Sequence, residues 1–166
     1  MILKVSVLII SFCFYLLLPS DIVDKRINYQ EFEEREINSE YIRIPTISLT
    51  SELCNRGREF CLEEGVWIKY FDLKKRNFLL TGHNFHLYPV SAGVFYNLEN
   101  VNLGDRVYIY FNSQTFIFNI TNFFITDKYD IQVEDFDLEK GVLKMYTCYP
   151  NWGNRGRFVV EGEYVE

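Results

Sequence analysis

Three residue types in this chain could together perform acyl transfer. Cys148 closes a strand-like run in the stretch "KMYTCYPNWGNRGRFVV", and Arg155 and Arg157 follow a turn-rich linker just before the next apolar run. His83 ends the run "NFLLTGH" and is one of two histidines, the other being His86. A cysteine-based hydrolase or transferase needs a thiol that can become a thiolate, an acid–base group for the leaving group, and a donor for the developing oxyanion. Cysteine and histidine meet the first two needs. Arginine meets the third with fixed positive charge and a rigid fork of donors. Each residue alone has an ordinary reading: a structural histidine, a core cysteine, a solvated arginine. Their common placement at strand ends is what joins them, because strand ends can converge at one rim of a barrel. Of the two arginines, Arg157 begins the run Phe158-Val159-Val160, where ladder hydrogen bonds would fix its direction. Arg155 lies between Asn154 and Gly156, in the loop.

The elements that would hold these residues read as many short strands. "RVYIYF" alternates with Val107, Ile109 and Phe111 on one face, and "TFIFNITNFFIT" with Phe116, Phe118 and Ile120. "FNSQTF" between them reads as a hairpin turn. "GVWIKYF", "NFLLTGH", "GVLKMYTC" and "RFVVEGEYV" are further strand candidates, and one helical turn is expected at "FYNLEN". "YIRIPTISLT" reads as a β-branched run that Pro45 confines to an edge or a strand's end. No long helical periodicity and no internal repeat is present. An all-β barrel or sandwich follows. The Asn119-Ile120-Thr121 sequon falls inside a strand candidate and carries no weight.

Of 166 residues, 17% are aromatic, while 17 basic and 23 acidic side chains leave a net charge of −6. This composition argues against disorder, and the chain lacks the basic stripe of a nucleic-acid binder. The amino terminus "MILKVSVLIISFCFYLLLPSD" is uncharged from Val5 to Ser20. Its length and the lack of a small-x-small cleavage site favour an uncleaved membrane anchor over a cleaved signal, with the remainder exported. The organisation expected is an anchor over 1–20, a charged stalk over 21–40 and one domain over 41–166. Of the four cysteines, Cys13 lies in the apolar run. Cys54 and Cys61 flank "CNRGREFC", a spacing that permits a disulfide in an exported protein or leaves two thiols. Cys148 has no obvious partner and is either buried and inert or reactive.

Taken in order, these segments resemble the sortase family of cysteine transpeptidases. "IRIPTI" resembles the family's first strand, Ile-x-Ile-Pro-x-Ile, and "EEGVWIKYF" its Gly-Val-Trp segment. "LLTGHNF" is similar to its Thr-Gly-His motif, and "FYNLENVNLGDRVYIYF" to its Phe-x-x-Leu…Gly-Asp-x-(Ile/Val) stretch. "LKMYTCYP" is similar to Leu-Thr-Leu-x-Thr-Cys, and "RFVV" to the arginine-led last strand. Thr-Gly-His or Thr-Cys alone would be weak; the ordered set over Tyr41 to Val165 is specific. Lys144 and Met145 depart from the usual Thr and Leu, and the segment from Trp67 to His83 lacks the family's Pro- and Gly-rich loop. Cys-Tyr-Pro resembles the class D branch, and no class is assigned on it.

The resemblance implies a closed barrel of about eight strands with short helical turns, preceded by a transmembrane helix. It implies Cys148 as nucleophile, His83 as general acid–base, Arg157 as oxyanion or substrate donor, and Thr147 as a residue lining the site. The implied reaction is cleavage of a Leu-Pro-x-Thr-Gly-like sorting signal on a surface protein. The acyl group passes to an amine of a cell-wall precursor or a pilin, at the cell membrane and outside the cytoplasm. No cofactor is required. Some family members bind calcium near an acidic loop, but Asp127, Asp130, Glu134, Asp135 and Asp137 read as a solvated stretch, and His83-Asn84-Phe85-His86 as a loop without a third metal ligand. Two rivals remain. An L,D-transpeptidase-type enzyme would place a His-Gly pair before its cysteine, which is absent here. A surface-binding β-domain without catalysis would have no use for an intact Cys, His and Arg.

Overall fold

The computed structural model describes residues 40–87, 90–130, 141–150 and 155–166. The expected anchor and all of the expected stalk except Glu40 lie outside the described residues. Among the described residues no helix is long and apolar enough to cross a membrane.

Among the described residues ten strands form in chain order: β1 (Tyr41–Ile44), β2 (Leu49–Cys54), β3 (Val66–Asp72), β4 (Asn77–Thr81), β5 (Phe85–Leu87), β6 (Val90–Ala92), β7 (Arg106–Phe111), β8 (Gln114–Asp127), β9 (Val142–Tyr149) and β10 (Gly156–Tyr164). Eight of them close a barrel in the order β1-β2-β3-β4-β9-β10-β8-β7, with β7 pairing back onto β1. β5 and β6 make a separate hairpin. The β2–β3 and β4–β9 pairs are parallel. Of the all-β barrel or sandwich expected from the strand pattern, the chain adopts the barrel, closed as the family resemblance implied.

The period-two residues set the inside of the barrel. Val107, Ile109, Phe111, Phe116, Phe118 and Ile120 are all buried, as are Leu143 and Met145 of β9 and Phe158 and Val160 of β10. Phe78 of β4 is fully buried, and its ring meets those of Phe111, Phe116 and Phe118 edge-on at 5.9, 5.1 and 6.0 Å, the geometry that ring quadrupoles favour. The β7–β8 connection is a two-residue turn, Asn112-Ser113, with both residues at positive φ, which matches the twist of its flanking strands.

Three local readings differ from the sequence pattern. The first β-branched run is cut in two: Pro45–Ile47 forms a 3-10 turn, and Ser48 at φ 52 reverses the chain into β2. A helix, α1 (Arg58–Glu64), occupies the "CNRGREFC" loop and the residues after it. Cys54 and Cys61 are joined in a disulfide that ties this helix to the end of β2. His86, read with His83-Asn84-Phe85 as part of a loop, lies in β5. The helical turn expected near "FYNLEN" is a 3-10 turn at Leu98–Asn100.

Candidate active site

β9 and β10 carry two of the three candidate residues to the same point. In their antiparallel register Cys148 stands directly opposite Arg157, and Arg157 in turn stands opposite Thr126 of β8. Directly opposed residues share a face, with Cβ atoms about 4.5–5.5 Å apart. That face is the outside of the barrel: Leu143, Met145 and Thr147 of β9 are buried, whereas Lys144, Tyr146 and Cys148, one residue out of phase, are half-buried. The alternation is locked four residues away by an ion pair between Lys144 and Glu161, 3.3 Å apart and opposite each other in the same ladder. A one-residue slip would bury that pair and expose the core face, so the register that joins thiol to guanidinium is strongly specified. The Arg157 guanidinium donates to the Gly156 carbonyl at 2.9 Å, which directs the fork along its own strand.

His83 arrives from the other side of Cys148. β4 runs parallel to β9, with Thr81 beside Tyr146, and His83 follows two residues beyond the strand's end. Backbone pairing has stopped there, and side chains continue it. The Thr81 hydroxyl donates to the Tyr146 carbonyl at 3.1 Å, the Thr147 hydroxyl to the Gly82 carbonyl at 2.9 Å, and the Asn84 amide to the Cys148 carbonyl at 2.8 Å. From behind, the Phe95 and Gly93 N–H groups donate to the His83 and Asn84 carbonyls at 2.9 and 2.8 Å. Two glycines make this close approach feasible. A Cβ on Gly82 would lie 2.5 Å from Val94, and one on Gly93 would lie 2.2 Å from the His83 carbonyl oxygen.

The three residues face one cleft of about 260 Å³, lined also by Thr81, Gly82 and Tyr146 at its floor. Trp67 and Lys69 of β3 form one bank with Arg58 and Leu62, which sit one turn apart on α1. Lys128 and Asp130, just past β8, form the other. Cys148 is a half-buried thiol outside the disulfide. A thiol, an imidazole and a guanidinium on one open cleft are the set that thioester chemistry requires.

The family model for the sortase domain matches residues 42–165. The chain belongs to the sortase family. Solved sortases share its fold: sortase C from Clostridium perfringens is 18% identical with a TM-score of 0.64, over 76% of this chain and 68% of that one. A lid mutant of sortase A from Corynebacterium diphtheriae is 25% identical with a TM-score of 0.68, over 77% and 70% respectively. Sortase C from Streptococcus pneumoniae is 18% identical with a TM-score of 0.67, over 78% and 68%. No curated protein matches the sequence.

Of the residues singled out from the sequence, the structure brings Cys148, His83 and Arg157 to the cleft. Arg155 is exposed and is not among the cleft-lining residues described. Thr147, expected to line the site, is only 2% exposed and spends its hydroxyl on the Gly82 carbonyl. Its side chain is a strut under the histidine segment. Among the described residues no group of three or more His, Cys, Asp or Glu side chains could hold a metal ion; Glu134, Asp135 and Asp137 of the acidic stretch lie outside them. Sequence reasoning missed Asn84, Gly93, Arg58 and Lys128. Asn84 directly follows the histidine, but a lone polar residue there looks like any loop residue.

Proposed function

We propose that this chain is a membrane-anchored cysteine transpeptidase that cleaves a Leu-Pro-x-Thr-Gly-like sorting signal and transfers the acyl group to an amine. The observation that carries the reading is the register placing Arg157 directly across from Cys148, on a face that also receives His83. In the reaction proposed, the Cys148 thiolate attacks the carbonyl carbon of the substrate threonine. A C–S bond forms, and negative charge moves to the carbonyl oxygen, where the Arg157 fork donates. His83, as imidazolium, protonates the departing glycine nitrogen as the C–N bond breaks. An acceptor amine of a cell-wall precursor or pilin then attacks the thioester, gives its proton to His83, and releases the thiolate. Water can replace the amine, giving slower hydrolysis. No step calls on a metal or an organic cofactor.

The purified full-length chain, incubated with a library of sorting-signal peptides and several amines, should yield a thioester adduct and a transpeptidation product by mass. Cys148→Ala should abolish both and His83→Ala should abolish turnover, whereas His86→Ala should leave most of it. Absence of any adduct on Cys148, or an essential His86, would refute the assignment. In this reading the uncharged run from Val5 to Ser20 is the anchor and the domain lies outside the cell membrane. Protease added to intact cells should then digest it, and complete protection on an accessible surface would contradict the orientation.

A further inference from the structure

The cleft runs against the charge of the molecule. The chain carries 23 acidic and 17 basic residues, yet among the described residues the cleft is lined by Arg58, Lys69, Lys128 and Arg157 against one carboxylate, Asp130. These cations come from α1, β3, the segment after β8, and β10, so no local sequence run groups them; the barrel rim does. Separate local features surround three of them. A β-bulge between Ile68 and Tyr70 displaces Lys69 in its strand. The disulfide fixes α1, with Arg58 in its first turn and Leu62 on the same face. Lys128 rests its ammonium 4.8 Å from the centre of the Tyr129 ring. Asp130 already accepts from the Thr126 hydroxyl. A thiolate and a transient oxyanion use the charge of Arg157. They leave Arg58, Lys69 and Lys128 on the banks, away from the ladder that holds the reacting groups. Converging like charges repel one another, and such a cleft concentrates anions.

We propose that the cleft selects an acyl-donor peptide bearing acidic side chains that flank the scissile bond. This deepens the transpeptidase reading and rests on it. The anion is assigned to the donor because the cations stand on both banks beside the thiol, where the donor must lie before any acceptor can enter.

Binding to the full-length Cys148→Ala chain isolates recognition from turnover. Three peptides would share one sorting motif and differ only in acidic, neutral or basic flanking residues. Exposed charge pairs contribute about two- to fivefold each, so two acidic flanks should bind about tenfold tighter than neutral ones at low salt. That advantage should fall towards unity near 0.5 M salt, where the Debye length shrinks to about 4 Å. Arg58→Glu combined with Lys128→Glu should reverse the order of acidic and basic peptides, with Lys128→Gln as a milder variant if the double change unfolds. The same peptides supplied to the active chain, with the acceptor amine held fixed, should rank alike in kcat/KM. If an anionic acceptor rather than the donor were the selected partner, varying acceptor charge at a fixed neutral donor would produce the effect instead, and the proposal would fall. Equal binding of all three peptides, or a salt-independent preference, also overturns it. Thioester formation with all three alike overturns it while leaving the transpeptidase reading intact; no thioester with any peptide removes both.

Discussion

Replacing Thr147 by Val tests whether this residue is a strut or a substrate contact. The substitution keeps shape and volume and removes one hydroxyl from a residue that is 2% exposed; that hydroxyl donates to the Gly82 carbonyl at 2.9 Å. Val can make no such bond, so the Gly82 carbonyl loses a donor in a packed interior, at a cost of about 1–3 kcal/mol. For a domain of this size that corresponds to a fall in Tm of about 4–12 °C. The catalytic consequence is larger than the stability suggests, because Gly82 is the residue before His83. Two further side-chain bonds and two backbone bonds still hold the segment, so the histidine should drift rather than detach. A displacement of order 1 Å at a reacting group costs about 100-fold in rate. The expected outcome is a kcat lowered about 10- to 100-fold with KM within about twofold, read from steady-state turnover on a single peptide beside a thermal melt. Thr147→Ser restores the hydroxyl and should recover most of both quantities. A normal Tm with a raised KM and normal kcat would mean that Thr147 touches substrate, and would refute the strut.

Three further sets of substitutions probe the arginine, the histidine support and the disulfide. Arg157→Ala should lose about 100- to 1,000-fold in turnover while melting normally, Arg157→Lys should recover little of it because a point charge lacks the planar fork, and Arg155→Ala should stay near normal; the reverse ranking in one peptide assay would move the role to Arg155. Gly93→Ala puts a Cβ 2.2 Å from the His83 carbonyl oxygen, so the segment must shift, and turnover should fall about 100-fold with a melting loss matching about 1–3 kcal/mol. Near-normal turnover there would show that the Gly93 contact does not position the histidine. Removing the disulfide by Cys54→Ala with Cys61→Ala opens a loop separated by 7 positions in sequence and should cost about 2–3 kcal/mol in denaturant unfolding. An unchanged midpoint would show that the bond adds nothing to the fold.

How much of this was legible in the sequence depended on the range of the interaction. The alternation in Val107–Phe111 and Phe116–Ile120 assigned their buried face correctly because a half-buried strand obeys a local rule of period two. Cys148 and Arg157 could be brought together because they border one connection, and an antiparallel pair across it puts its ends side by side. The β4–β9 parallel pairing was beyond reach. It joins residues 65 apart, such as Tyr146 and Thr81, and its register has no turn to fix it. Hence His83 could be assigned through family likeness but not through geometry. The helix at Arg58–Glu64 has two turns or fewer, too short to show a period, and β5 has three residues, too few to alternate.

The unequal support of the three candidate residues follows from where the barrel ends. Arg157 lies between two ladders and Cys148 in the β9–β10 ladder, where backbone pairing fixes a side chain's direction whatever its neighbours are. His83 lies two residues past the last paired position of β4, where no ladder reaches. Its placement is rebuilt from Thr81, Thr147, Asn84 and the N–H groups of Gly93 and Phe95, each contributing a single hydrogen bond. A net contribution of about 1 kcal/mol per bond makes this segment the softest part of the site, since any one of the five can be lost without unfolding the barrel. Substitutions at these five supports should therefore lower activity and stability together in small steps, whereas side-chain changes at Cys148 or Arg157, whose backbone the ladder holds, should remove activity and leave the fold intact. The distinction follows from hydrogen-bond placement alone and holds for any reaction that uses the three residues in concert.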